Sequence, residues 1–524
     1  MKYIQYIIII ILLLNACARV GRPTGGDKDV TPPNLLKSTP DNETLNFHGQ
    51  EIVLEFDEFI TLKDPAKNIL ISPPLENQPV ISPLGIGTKR LKIKFQDSLN
   101  PNTTYQINFG ESIADYNEGN KMNNLLLVFS TGPVIDSLSL KGKIKAIHFD
   151  KKPDKILVGL YQAKDFTDSI VYKQKPYYVT LTNADGHFKF KHLKAGNYRI
   201  IALADENRDY KYQQGKESIG FVDKVINVPQ DSVANLNLFK EYPVLNIEEV
   251  EQKSRQHVVV KFKGNPDSLK VAVKSPVKRQ QHFYDKNRWH LWYQSDDDSI
   301  KLEIPLVHHR IKKYIRKRSD EKDSLQVIIK AKGRMSPLDS VIISSNMPIV
   351  KTDSSKIRLL NDSTAVAFRL QQLQNGNFEV NFEKKLGKSY QLQLLPETVT
   401  GFTGQTNQDT LKADIAIPKA EIYGKLILHL NNTTKKPLFV ELLKNNNIDR
   451  KSPTQTGNDF IFPYLTPGKY SLRIIVDMNK NNRWDTGSYL RHIQPEQSFE
   501  PNKTIEIRAN WDVNQSLMLE ELRN

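Results

Sequence analysis

Apolar and polar residues alternate along most of this chain. EIVLEF (Glu51 to Phe56), LKIKF (Leu91 to Phe95), TYQINF (Thr104 to Phe109) and LLLVFS (Leu125 to Ser130) are short and either alternating or apolar. A period of two marks a strand with one buried face, because successive side chains point to opposite sides of a sheet. Turn clusters such as DSLNPNTT (Asp97 to Thr104) separate these stretches, and short strands at this spacing predict β-sandwiches. No long segment after residue 17 repeats with the 3.6-residue period of a helix. The one long apolar run, Ile7 to Leu14, follows Lys2. It is too short to span a bilayer as a mature helix and fits the apolar core of a signal peptide.

That run ends in Leu14-Asn15-Ala16-Cys17, which resembles the lipobox of bacterial lipoproteins. The resemblance implies a signal peptide of residues 1–16, cleavage before Cys17 and diacylation of that cysteine. A plain secretory signal is the alternative. Cys17 is the only cysteine, so no disulfide can form within the chain. Attachment would come from lipid chains and not from a spanning helix. Residues 17–33 are polar and rich in Gly and Pro, as a flexible tether is. No Asp follows Cys17 directly, which favours the outer membrane by analogy with inner-membrane retention signals. The periplasmic and surface faces stay open.

Two module types follow. TPDNETLNFHGQEIVLEFDEFI, the Tyr105 strand, the turn from Asp115 to Gly119-Asn120 and the closing FSTG make residues 34–132 resemble a bacterial Ig-like domain of surface-layer type. Residues 137–242 resemble a prealbumin-like, or carboxypeptidase-regulatory-like, sandwich through Gly142, the Phe188/Phe190 strand, Ala195-Gly196 and the Tyr198 strand. The stretch from Phe188 to Gly215 aligns without gaps on Phe460 to Gly487 at an offset of 272. A fainter echo sets Gly119 against Gly404. The chain thus reads as a duplicated pair, with a degenerate Ig-like domain at 351–418, a second prealbumin-like sandwich at 419–519 and an unassigned β-rich region at 245–350. The fold class is all-β, a string of antiparallel sandwiches.

Charge adds little to this picture. The 524 residues carry a formal net charge of +15, but the cations are spread along the chain, so no nucleic-acid footprint is read. The densest basic stretch, His308 to Arg318, reads as a solvated face. Envelope proteins and glycans are the partners expected beside the membrane. Catalytic signatures are missing: there is no HExxH, no GxSxG and no P-loop. The expected function is a non-catalytic, outer-membrane-anchored scaffold or binding protein. The alternative is a carbohydrate- or peptide-binding component of an uptake or secretion system.

One motif has the chemistry of a metal site. DMNKNNRWDTG spaces Asp477, Asn479, Asn481, the Arg483 carbonyl and Asp485 like the oxygens of a calcium loop, although Ser488 stands where a bidentate Glu would close it. The earlier copy offers Asp205, Asn207 and Asp209, then Gln213 in place of the last carboxylate. The competing reading is a turn whose Asx side chains cap their own backbone. Trp289, Trp292 and Trp484 could stack on sugars, or pack in cores with Trp484 and Tyr212 anchoring the bases of their loops. Asp-Ser/Thr followed by an aliphatic residue or Thr occurs ten times, as at Asp97-Ser98-Leu99 and Asp136-Ser137-Leu138. It resembles an O-glycosylation sequon and equally a turn entering a strand.

Overall fold

The computed structural model describes residues 29–122, 125–149, 153–306, 310–316, 324–331, 333–433 and 435–518. The signal peptide, Cys17 and most of the tether lie outside these residues, as do His308 and His309. The described residues are almost entirely strand and turn; the one α-helical element is the single turn Pro65–Asn68. The chain divides into two compact units.

The first unit contains the Ig-like region. Strands Leu35–Thr39, Glu51–Leu62, Thr88–Lys94 and Val80–Ser82 form one sheet, with Ile113–Asp115 added to Glu51–Leu62. Leu70–Ser72, Thr104–Asn108 and Leu126–Ser130 form the other. The alternation read from the sequence sorts side chains as a sandwich requires. Ile52, Leu54, Phe56, Leu91, Ile93, Tyr105 and Phe129 meet in one core, and Tyr105 stacks on Phe129 at 5.5 Å. The Asp115 turn closes on its own carboxylate, which accepts the N–H groups of Glu118, Gly119 and Asn120. Gly119 there takes φ 81°, which glycine adopts without a Cβ penalty.

In the second unit the two copies share one pairing scheme. Leu157–Gln162 pairs antiparallel with Gly196–Leu203, as Leu438–Lys444 does with Gly468–Val476. Leu138–Ala146 and Gly424–Asn431 each take a parallel neighbour, Leu236–Phe239 and Asp512–Met518. Tyr198 faces Ile226, and Tyr470 faces Ile505. These equivalences also expose where the copies differ. The offset is 272 at the tyrosines but 279 at the isoleucines, so the second copy has seven extra residues between them. It is 282 from Leu157 to Phe439 but 272 from Leu203 to Ile475, so the first copy has ten extra residues there.

Between the copies lie two further sandwich-like bodies. Asn246–Ser254, His257–Lys263, Arg288–Gln294 and Arg279–Asp285 form a sheet facing a second one built from Ala272–Val273, Ser299–Pro305 and Arg310–Arg316. Val327–Lys330, Ile342–Ser345, Phe378–Asn381 and Arg369–Gln372 form the next sheet. That sheet joins strands from both sides of the expected boundary at 350/351, so the division is corrected: residues from 327 onward belong with 351–418. Val341, Ile343, Val380 and Leu392 lie in a single core, and splitting them would expose it.

Candidate functional site

The paired polar loops follow the central strands Gly196–Leu203 and Gly468–Val476. Each opens on an Asp that caps the turn. Asp205 accepts the N–H of Arg208 at 2.7 Å and of Tyr210 at 3.0 Å. Asp477, fully buried, accepts those of Asn481 at 3.1 Å and Asn482 at 2.8 Å. Left-handed residues fall at equivalent positions, Arg208 and Tyr210 in one loop and Lys480 and Asn482 in the other. Asp209 Oδ1 accepts Lys211 N–H, as Asn481 Oδ1 accepts Arg483 N–H. The loops are therefore Asx turns of one design.

The structure adds a carboxylate to each loop that sequence spacing missed. Glu496 accepts Met478 N–H at 3.0 Å and Asp485 N–H at 3.1 Å. Burial, together with Asp485 and Asp477 nearby, pushes its carboxyl above the ordinary value. Glu217 accepts Gln213 N–H at 3.0 Å, and burial raises its carboxyl to about 7, with Asp205 and Asp209 adding to the effect. Position 12 of a calcium loop gave no hint of either residue, because both arrive from beyond the aligned stretch or off its register.

As folded, the second loop satisfies its own oxygens. Asn479 and Asn481 donate their amide N–H groups to Asp485 Oδ2 at 2.6 and 2.8 Å, and Thr454 donates its hydroxyl to Asp477. In the first, Asn207 and Gln213 donate to Asp209 Oδ2 at 3.1 and 3.0 Å. Among the described residues no group of three His, Cys, Asp or Glu side chains is arranged to hold a metal ion. The donor types suit a hard cation, since carboxylate and carboxamide oxygens surround the loop. A bound ion would have to displace these internal hydrogen bonds. The Arg483 side chain leaves the loop and meets Asp267 at 2.7 Å.

The three tryptophans have separate fates. Trp289 is buried in the core of the sandwich that carries it, and Trp292 is buried on the opposite face with Met347 and Phe402. The sugar-stacking role is corrected for both: their ring faces are covered by protein. Trp484 is half-buried; its indole donates to the Glu496 carbonyl at 2.9 Å and its ring stacks on His148 at 4.2 Å. Its counterpart Tyr212 is buried and donates to Glu241 at 2.6 Å.

The two insertions meet. In the second copy, Ser488 and Ile493 exchange backbone hydrogen bonds and close a small hook. Tyr489 at its tip is 2 % exposed and packs edge-on against Phe221 at 5.3 Å, with Tyr172 and Tyr212 beside it. Tyr489 N–H donates to Glu241 at 2.8 Å, and Gln494 donates to the Phe221 carbonyl at 3.0 Å. His492 lies 2.7 Å from Asp223 and 3.0 Å from Asp168, and these two carboxylates raise its pKa. Asp168 and Tyr172 come from the stretch in which the first copy is longer. Gly487 starts the hook because a Cβ there would approach the Phe239 ring to 2.6 Å.

Comparison with known proteins bears on the first unit. Residues 29–131 match the family model described as a bacterial Ig-like domain. No curated protein matches the chain. Among solved structures, domains 5-6 of the S-layer protein SbsC are similar at 12% identity, over 33% of this chain and 99% of that one, with a TM-score of 0.19. The major pilin subunit BcpA of Bacillus cereus is similar at 8% identity, over 73% of this chain and 99% of that one, with a TM-score of 0.15. The stretch 29–131 is thus the part of this all-β chain that carries a family match, and the family is the bacterial Ig-like domain.

Proposed function

We propose that this chain is a non-catalytic, outer-membrane-anchored lipoprotein that acts as a modular scaffold or binding protein in the cell envelope. The observation that carries the reading is the lock between the two sandwich copies, which fixes modules far apart in sequence against each other, as a spacer requires. The Ig-like match and the lipobox at Cys17 support the setting. Labelled fatty acid supplied to expressing cells tests the anchor. The wild-type chain takes up label and fractionates with outer membranes, and Cys17→Ser does neither. Uptake of label by the Ser variant overturns the anchor.

Calcium at the 477–485 loop belongs to the same reading. Asp477, Asp485 and Glu496 would have to draw together to supply carboxylates there, since among the described residues no three such side chains are so arranged as folded, with Asn479, Asn481 and the Arg483 carbonyl as neutral oxygens. The first loop has Asp205, Asn207, Asp209 and Glu217, with a neutral Gln213 at the last position. Calcium would take the place of the amide donors on Asp485 and stiffen the base of the hook.

A further inference from the structure

Strand Arg310–Arg316 is the edge of the three-stranded sheet it forms with Ser299–Pro305 and Ala272–Val273. Its register sets Ile315 against Ile300 and Ile311 against Ile304, and these isoleucines pack into the core. Alternation then places Arg310, Lys312, Tyr314 and Arg316 on the outer face. Lys301 lies opposite Tyr314, and Glu303 opposite Lys312. Lys274 reaches the same face, 4.0 Å from Glu303, which also sits 3.5 Å from Arg310. Glu303 is thus the one carboxylate among the outward positions of these strands and is shared between two cations. The acidic turn before Ser299 bounds the patch at the Arg316 end, with Asp296 held by Lys278 at 2.7 Å.

Two properties set this face apart from an ordinary solvated strand. Neighbouring like charges on one sheet face repel, and a counter-anion relieves the repulsion. Charged residues that guard a sheet edge need only flank the open hydrogen-bonding groups, a requirement that leaves the flat face free. Tyr314, in mid-strand, is 69% exposed, with the Lys301 ammonium 5.2 Å from its ring centre. An aromatic face beside cations suits a sugar ring that carries an acid. Outward residues recur roughly every 7 Å along the strand, so Arg310 and Lys312 are one such step apart and Lys312 and Arg316 two, about 14 Å, with Tyr314 between them. The outward positions of this strand offer no aliphatic side chain to insert into a bilayer, so a lipid surface is the weaker fit.

We propose that the outer face of this sheet binds an acidic polysaccharide, with its carboxylates on Arg310, Lys312 and Arg316 and a sugar ring on Tyr314. The guanidinium groups can each grip a carboxylate through two parallel N–H groups. The proposal takes only the envelope setting from the function proposed above, and binding in solution does not depend on the anchor.

The full chain is run in affinity electrophoresis with polygalacturonate, with neutral dextran, and against phosphatidylglycerol vesicles by flotation. Polygalacturonate retards the wild type, increasingly less as salt rises, and dextran does not. Reversal of three charges, R310E/K312E/R316E, weakens retardation about a hundredfold at low salt. Tyr314→Ala weakens it several-fold without a change of charge. A control reversal of exposed lysines in the Ig-like region, K37E/K63E/K94E, retains it. Equal loss in the control would mean bulk charge alone and overturns the proposal. So does unchanged retardation of the triple variant and of Tyr314→Ala, or binding to the vesicles with none to polygalacturonate.

Discussion

Tyr489 of the second sandwich donates its backbone N–H to the buried carboxylate of Glu241 in the first, at 2.8 Å and across 248 residues of sequence. Glu241 also accepts the Tyr212 hydroxyl, so one carboxylate ties the hook to the base of the first polar loop. The two insertions that distinguish the copies are therefore complementary parts of one contact.

Truncating the tip of the hook tests this contact. Tyr489→Ala removes a buried ring and is expected to cost about 3 kcal/mol, within the range for buried aromatic residues. Tyr489→Phe keeps the ring. The Tyr489 hydroxyl is buried without a hydrogen-bond partner among the described residues, so its removal is expected to leave stability unchanged or raise it by up to about 1 kcal/mol. Urea unfolding of the full chain, with protease cleavage near 488–494 as a second readout, separates the two outcomes.

His492 makes the contact pH-dependent. Hydrogen bonds to Asp223 and Asp168 raise its pKa above the ordinary 6.5. A histidine whose folded pKa is raised stabilises fully below the unfolded value and loses that contribution as pH rises through the folded value. The melting-temperature gap between wild type and His492→Gln is therefore widest near pH 6 and narrows toward alkaline pH. The side chain is 46% exposed, so the gap is small and shrinks further with salt. A gap independent of pH would remove the charge from this account.

Glu217 shares that direction, over a more acidic window. Burial holds its carboxyl at about 7, above the unfolded value near 4.5. The folded state then retains a proton that the unfolded chain gives up, so stability falls as pH rises from about 4.5 to 7. Glu217→Gln carries no such charge. It is expected to be more stable than wild type above pH 7, by about 1–3 kcal/mol, with the gap closing below pH 4.5. Chemical denaturation at pH 5 and pH 8 measures both ends.

Calcium would change that balance. Millimolar calcium is expected to raise the melting temperature of the full chain. Asp485→Asn is expected to abolish most of the rise, and Glu496→Gln to reduce it. Neutralising Asp205 should matter less, because the first loop ends on Gln213 and fewer anionic ligands weaken a site. No shift in the wild type leaves the loops as Asx turns alone.

Much of the fold was legible in period-two patterning. Ile52, Leu54 and Phe56 alternate in sequence and share one core. The 272-residue offset foretold two loops of one design, and the structure adds left-handed residues at matching positions in them. The division at 350 was not legible, because Ile342–Ser345 and Phe378–Asn381 are distant in sequence and only pairing shows that they are neighbours. Trp292 was ambiguous for a related reason. It sits on the sheet face away from its own core, and Met347 and Phe402 from the next sandwich cover it.

The sequence by itself determined the strands, which faces they bury and the turn chemistry of Asp205 and Asp477. These depend on neighbours two to five residues away, through alternation and local hydrogen bonds. Only the tertiary structure decided that Glu217 and Glu496 close the loops and that His492 meets Asp168, 324 residues earlier. Such contacts arise when separate surfaces desolvate together, and no local periodicity encodes which surface will be the partner.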